Sequence, residues 1–149
     1  MNFEDWTLAN RIPANNMLKG LSDLIDWNAL EADLQKLYRH DITDGDGHTP
    51  YEGLVMLKAM LLGHWYNLSD SKLEEALRVR IDFFVFCGLS LSDPVPDSTT
   101  LSRFRDRLKE FKCYDEFLKA VDAQLDSKGL MIKKGDGAVA NLSIGRPPL

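Results

Sequence analysis

The segment that begins at Thr49 and ends near Trp65 is apolar on nearly every side of a helix, and it constrains the fold more than any other part of the chain. Thr49 is typical of a helix N-cap and Pro50 of the first helical position, so a helix is expected to begin there. Its apolar side chains are spread around the helix: Tyr51, Leu54, Val55, Met56, Leu57, Met60, Leu61 and Leu62. Because a helix without a polar face has to be covered on all sides, this one is expected in the middle of a multi-helix fold.

Several shorter segments carry apolar residues at three- and four-residue spacing, which is the pattern of amphipathic helices. They predict helices over residues 16–26, 27–40, 98–111 and 114–128, and one that begins at the N-cap Ser69. Residues 81–87 are too short and too aromatic to assign, although Gly88 would end them as a helix. The predicted fold class is therefore all-α, a compact multi-helix domain.

The pattern changes after Gly129. Residues 130–132 and 138–144 are β-prone, but two such segments form one hairpin at most. The chain is therefore divided into a helical domain at residues 1–129 and a short β-prone C-terminal tail at residues 130–149.

Length, hydropathy and cysteine content exclude several classes of protein. At 149 residues the chain has the size of one domain. It contains no apolar run long enough to span a membrane, and Glu4 and Asp5 stand where a signal peptide would carry positive charge. The two cysteines, Cys87 and Cys113, have no CxxC spacing and favour a reducing compartment. We therefore expect a cytoplasmic protein without a membrane partner.

Positive charge is concentrated in one predicted helix, although the whole chain is acidic with a net charge of −5. Residues 1–71 hold 5 basic and 11 acidic side chains, whereas residues 72–135 hold 12 basic and 11 acidic ones. Within the second part, residues 98–112 carry five basic side chains against Asp106 and Glu110. This helix is therefore the candidate contact for an anionic polymer.

The polar face of the predicted helix after Asp97 is a candidate for DNA binding. Hydroxyl and guanidinium groups contact phosphates and base edges, and the amino terminus of a helix is the positive end of its dipole. The candidate DNA-binding residues are Ser98, Thr99, Ser102, Arg103, Arg105 and Arg107. The alternative is a solvated amphipathic helix in which Asp106 and Glu110 pair with the arginines. The loop before Asp97 has about ten residues, which is longer than the turn of a tight helix-turn-helix.

Other candidate sites lack the spacing that their chemistry requires. Four carboxylates near a glycine-rich turn depart from the calcium-loop pattern and are expected to be solvated: Asp41, Asp44, Asp46 and Glu52. The histidines show no metal-ligand spacing: His40, His48 and His64. The sequence contains no GxSxG, P-loop or GxGxxG motif. We therefore predict no catalytic residue, no metal and no cofactor.

Four sequence blocks follow one another along the chain: GHTPYEGLVMLK at residues 47–58, LSDSKLEEAL at residues 68–77, FCGL at residues 86–89 and DPVPDSTTLSRFR at residues 93–105. Together they resemble the N-terminal, InsH-like domain of bacterial insertion-sequence DDE transposases of the IS-five group. The resemblance extends from about residue 12 to about residue 134. It implies an all-helical region that helps to bind the terminal inverted repeats of the mobile DNA.

In the family that the chain resembles, a ribonuclease-H-like domain follows, in which three carboxylates hold two divalent ions that activate water or a 3′-hydroxyl. The resemblance implies that the first of these aspartates would follow the Lys-Lys-Gly at residues 133–135. Asn141 stands at that position, and a neutral amide lacks the charge that holds such ions. A frameshift near Asp136 would explain the sequence as well, so residues 130–149 are either the start of a lost catalytic sheet or a frameshifted tail. The resemblance therefore implies a transposase truncated before its catalytic domain, which does not itself catalyse strand transfer.

Two functional interpretations remain open. In the first, the chain is the DNA-binding N-terminal region of a truncated transposase, and DNA at the ends of the mobile element is its partner. In the second, it is a helical interaction module that pairs with itself or with intact transposase and modulates it, without recognising DNA. The basic helix favours the first interpretation, whereas the net acidity and the apolar helices favour the second.

Overall fold

The structure is a computed structural model that describes residues 2–38, 53–133 and 141–144. These residues form eight helices and two short strands. The helices are α1 (Phe3–Asn10), α2 (Met17–Leu24), α3 (Trp27–Tyr38), α4 (Gly53–Tyr66), α5 (Asp70–Val79), α6 (Ile81–Cys87), α7 (Ser98–Glu110) and α8 (Cys113–Ser127), and the strands are β1 (Leu130–Lys133) and β2 (Asn141–Ile144). The predicted fold class, a compact all-α domain of several helices, is confirmed. Within these ranges, no helix has the length and apolarity of a membrane span.

Helix α4 is the central element, as its all-round apolar sequence predicts. It contacts α3, α5, α6 and α7, and most of its side chains are buried. The buried residues are Met56, Leu57, Ala59, Met60, Leu61, Leu62, Trp65 and Tyr66. Each leucine that is fully buried in this way contributes about 1.5–3 kcal/mol to stability. The predicted start of this helix, at Thr49 and Pro50, lies outside the described residues.

Helices α2, α5, α7 and α8 each turn an apolar stripe towards the common core that contains α4. The stripes consist of Leu18 and Leu21 in α2, Leu73 and Leu77 in α5, Leu101, Phe104 and Leu108 in α7, and Phe117, Val121 and Leu125 in α8. The periodicity predicts these positions, and it also predicts Ala76, Phe111 and Leu118, which are half-buried against the same core. The core therefore forms where the apolar stripes of these amphipathic helices meet the buried side chains of α4.

Side-chain caps and one glycine fix the helix ends. The side-chain oxygen of Asn16 accepts a hydrogen bond from the N–H of Leu18 at the start of α2, and the Ser69 hydroxyl caps α5 in the same way. Gly88 has a φ of 79°, a left-handed conformation that costs other residues energy, and it ends α6. The segment Ile81–Cys87, which the sequence does not assign, is therefore a short helix.

The sequence does not predict helix α1, because its apolar residues form no inward stripe. None of its residues, all of which the structure describes, is fully buried. Phe3 and Trp6 are exposed to solvent. The helix packs on α6 and is held by the Asp5 carboxylate, which accepts hydrogen bonds from the Ser90 hydroxyl at 2.9 Å and from the Leu91 N–H at 3.1 Å.

Lys58, the lysine within α4, is accommodated by aromatic rings. Its ammonium lies 4.6 Å from the centre of the Trp27 ring and 5.7 Å from the centre of the Phe86 ring. Cation–π attraction thus replaces part of the hydration that the ammonium loses. Burial nevertheless lowers the pKa of Lys58.

Strands β1 and β2 pair as an antiparallel hairpin, with Leu130 opposite Ile144 and Lys133 opposite Asn141. The first strand packs on α8. The β-prone segments therefore form one hairpin, which is the most that the sequence predicts, and residues 138–140 of the second segment lie outside the described residues. The division of the chain after residue 129 stays a prediction.

The central position of α4 predicts that Leu61→Ala is strongly destabilising. Leu61 is fully buried, and truncation of a core leucine costs about 2–5 kcal/mol because a cavity remains. Leu91 is 53% exposed, so Leu91→Ala, the control, is expected to change the free energy of unfolding by about 0.5 kcal/mol or less. Urea denaturation followed by circular dichroism measures both variants. Losses of similar size in the two would contradict the central position of α4.

Candidate nucleic-acid interface

The amino end of helix α7 is neutralised by two carboxylates. Asp97, the N-cap, accepts a hydrogen bond of 2.8 Å from the Thr100 N–H, and this bond holds the pKa of the Asp97 carboxyl below its usual value. The Ser98 N–H donates to the Glu74 carboxylate of α5, also at 2.8 Å. The dipole of a helix is positive at this end. The positive end of the α7 dipole is therefore balanced by two carboxylates of the chain itself.

The two sides of α7 differ in burial. Leu101, Phe104 and Leu108 are buried and form the inward stripe. Thr99 and Arg103, on the opposite side, are exposed. Amphipathic packing therefore presents a polar face of α7 to solvent.

A shallow groove lies between α7 and the amino end of α5. Its volume is about 500 Å³, and it is lined by Asp70 and Ser71 from α5 and by Ser98, Thr99, Ser102, Arg103 and Asp106 from α7. Four of the six predicted DNA-binding residues thus meet on one surface: Ser98, Thr99, Ser102 and Arg103. Hydroxyl and guanidinium groups of this kind donate hydrogen bonds to nucleic-acid phosphates.

Arg105 contacts α5 and forms a bidentate ion pair with Asp70. Its Nη1 bonds the Oδ1 of Asp70, and its Nη2 lies 2.7 Å from Oδ2. This hydrogen bonding raises the pKa of the Arg105 guanidinium. The sequence offers Asp106 and Glu110 as partners for the arginines, whereas the partner of Arg105 is a carboxylate from another helix.

Arg107 lies outside the groove lining, in the carboxy-terminal half of α7, and is half-buried. Further along the helix, the Lys109 ammonium lies 5.2 Å from the centre of the Tyr114 ring. Basic side chains near the carboxyl end of a helix complement its dipole. Of the predicted residues, Arg105 and Arg107 are therefore the two that do not line the groove.

Asp70 and Ser71 line the groove but are not among the predicted site residues. Apolar periodicity identifies the faces of α5 and α7 separately and contains no information on how the two helices cross. The local signal that was available is the N-cap Ser69, which places both residues at the amino end of a helix.

Among the described residues, metal-ligating and nucleophilic side chains do not form a second candidate site. In the part of the chain that the structure describes, no group of three His, Cys, Asp or Glu side chains is placed to hold an ion. His64 lines a small polar cavity of about 170 Å³. Cys87 and Cys113 are buried free thiols, and burial raises the pKa of Cys87 to about 12. His40, His48 and the four carboxylates of the glycine-rich turn lie outside the described residues.

A family model described as "Transposase domain (DUF772)" matches residues 6–107, which is more than half of the chain. The chain belongs to this transposase-domain family. The match begins in α1 and ends in α7, so it includes every predicted DNA-binding residue of this transposase domain. No solved structure matches the chain. The resemblance to transposases is confirmed at the level of the domain family.

The cap of α7 predicts a pH dependence of stability in this transposase domain. Because the folded-state pKa of Asp97 lies below 3.8, the charged cap stabilises the fold above that value, and this contribution is lost as the pH falls through the folded-state pKa. Asn also caps helices but does not titrate. Asp97→Asn is therefore expected to make the urea midpoint less sensitive to pH between about pH 5 and pH 2.5.

An exposed carboxylate on α8 provides the control for this measurement. Asp122→Asn removes a carboxylate that makes no cap and is expected to retain the pH profile of the wild type. Superimposable profiles for Asp97→Asn and the wild type would show that the cap carries no pH dependence.

Proposed function

We propose that this transposase domain binds DNA and recognises the ends of an insertion sequence, its terminal inverted repeats, in DNA transposition. The observation that carries the proposal is the groove between α5 and α7, which collects hydroxyl and guanidinium groups on one exposed surface of a transposase-family domain. The sequence blocks indicate an element of the IS-five, InsH-like type. The proposed location is the cytoplasm, whose reducing conditions fit the two buried free thiols.

Arg103 has the central role in this proposal because it is exposed in the groove. Its guanidinium can form bidentate hydrogen bonds with two phosphate oxygens or with the edge of a guanine. Thr99 precedes it by one turn and Arg107 follows it by one turn, so the three residues follow one side of α7. The hydroxyls of Ser98 and Ser102 add donors to phosphate at the groove. Phosphate contacts orient the domain, and contacts to base edges supply the sequence preference.

Acidic side chains limit the strength of this binding. Asp106 lies in the groove lining, and the chain has a net charge of −5. Attraction to DNA of any sequence is therefore expected to be weak and confined to a few phosphates. Each neutralised phosphate contributes about 0.9 to the slope of log K against log salt concentration.

Fluorescence anisotropy over a salt series, with a labelled inverted-repeat duplex and a scrambled duplex, tests the proposal. The domain is expected to prefer the repeat, and its affinity is expected to fall as salt rises because bound phosphates release counterions. Arg103→Ala/Arg107→Ala is expected to reduce the salt slope by at least about 0.9, since the phosphate contact of Arg103 in the groove is lost.

A second double variant removes the same charge elsewhere. Arg11→Ala/Lys128→Ala changes two exposed basic residues outside the groove lining and is expected to retain the salt slope and the preference for the repeat. Equal and weak binding of both duplexes, unchanged by Arg103→Ala/Arg107→Ala, would remove DNA recognition from α7.

We also propose that these 149 residues do not themselves catalyse strand transfer. The support is Asn141, which stands where the resemblance implies the first catalytic aspartate. An amide does not supply the negative charge that holds divalent ions. In the same binding reactions, with Mg²⁺ or Mn²⁺ added, the repeat duplex is expected to be recovered uncut. Nicking at the end of the element by the pure protein would contradict this proposal.

Two exposed aromatic side chains on α1 favour a second candidate function, self-association or pairing with intact transposase. Phe3 is 78% exposed and Trp6 is 57% exposed, and the centroids of their stacked rings lie 6.1 Å apart. Aromatic residues are enriched at protein interfaces because they bury a large apolar area. This surface belongs to a different helix from the DNA groove, so the two functions are compatible.

Light scattering over a range of protein concentrations tests the second candidate. The mass of the wild type is expected to rise above that of one chain, and Phe3→Ser/Trp6→Ser is expected to stay monomeric because the aromatic contact is lost. Val79 is also exposed, so Val79→Ser is the control and is expected to associate as the wild type does. A wild-type mass that stays at one chain throughout would exclude self-association.

A further inference from the structure

We propose that Arg105 is a positioning residue: its ion pair with Asp70 sets the angle at which α7 crosses α5, and with it the ability of the groove to distinguish the inverted repeat from other DNA. We call this ion pair the latch. The inference rests on the proposed DNA binding, and within it gives Arg105 a role that requires no contact with DNA.

The geometry of the latch is directional. Both terminal nitrogens of Arg105 bond the carboxylate oxygens of Asp70, with 2.7 Å between Nη2 and Oδ2. Because the guanidinium and the carboxylate are planar forks, such a pairing fixes an angle as well as a distance. The two side chains are 27% and 22% exposed, so water and salt screen this pair less than a pair on the open surface.

A second contact anchors α7 to the same edge of α5. The Glu74 carboxylate accepts the Ser98 N–H at 2.8 Å, and Glu74 lies one turn after Asp70 on α5. On α7, Ser98 and Arg105 are separated by two turns, about 10.5 Å along the helix axis. Two anchors at this separation restrict the rotation of one helix against the other, which a single anchor would allow.

In the latch, the guanidinium of Arg105 already has a partner inside the protein, the Asp70 carboxylate. A phosphate in the place of Asp70 would leave a partly buried carboxylate without its partner and beside a second negative charge. Arg103, in contrast, is exposed and lines the groove. Two of the three arginines of α7 therefore differ in role: Arg103 contacts DNA and Arg105 positions the helix.

Two substitutions that remove the same negative charge from the groove lining separate positioning from charge. Asp70→Asn breaks the latch, whereas Asp106→Asn leaves it intact. Asp106→Asn is expected to raise the affinity for the repeat and for the scrambled duplex alike, because repulsion of phosphate decreases. Asp70→Asn is expected to reduce the ratio of the two affinities by about fivefold or more, which is the effect of one misplaced base contact.

Substitutions of Arg105 extend the test to the other partner. Arg105→Ala and Arg105→Lys are both expected to lose discrimination between the duplexes, because Lys keeps the charge but not the planar fork. The slope of log K against log salt concentration is expected to remain that of the wild type in both, since no phosphate contact is lost. If Arg105 only stabilised the fold, a folded variant would keep both the discrimination between the duplexes and the salt slope of the wild type. Circular dichroism establishes that each variant is folded.

Three results would overturn the inference. A salt slope that falls by about 0.9 in Arg105→Ala would show that Arg105 contacts a phosphate. If Asp70→Asn and Asp106→Asn changed the two affinities in the same way, Asp70 would act only through its charge. This comparison tests the latch even where Arg105→Ala does not fold. If every latch variant still preferred the repeat over the scrambled duplex, the positioning role alone would be refuted. If the wild type did not prefer the repeat, the proposed function would be refuted and the inference with it.

Discussion

The burial of helix α4 is the interaction on which the rest of the structure depends. Its apolar side chains occupy all sides of the helix, so the fold has to supply a partner on each side, and α3, α5, α6 and α7 do so. In this way α7 acquires an inward face of Leu101, Phe104 and Leu108, and its polar side is left to solvent. The candidate DNA surface is therefore a consequence of core packing: α7 covers α4 with one side and presents the other.

Two acidic residues of α5 determine how α7 is held. Asp70 bonds Arg105, and Glu74 bonds the N–H of Ser98 at the amino end of α7. Arg105 and the positive end of the α7 dipole thereby each interact with a carboxylate of the protein itself. The guanidinium of Arg103 lines the groove together with the hydroxyls of four residues: Ser71, Ser98, Thr99 and Ser102. The same contacts that orient the helix thus determine which of its groups meet DNA in the proposed complex.

The sequence predicts the features that depend on one segment and misses those that depend on two. The apolarity of α4, the stripe of α7 and the role of Gly88 at the end of α6 are local, and the structure confirms them. The partner of Arg105 is Asp70, 35 residues away, and that pairing depends on how two helices cross, which periodicity does not encode. Helix α1 is missed for another reason, since its aromatic residues Phe3 and Trp6 are exposed and leave no inward stripe to detect.

Amide chemical-shift mapping by NMR, with the inverted-repeat duplex titrated into the folded domain, tests most directly the claim that the groove between α5 and α7 is the surface that meets DNA. The claim predicts that the largest shifts cluster at the groove residues Ser71, Ser98, Thr99, Ser102 and Arg103, with small changes in the buried core of α4. Shifts confined to α1, or spread evenly along the chain, would contradict the claim.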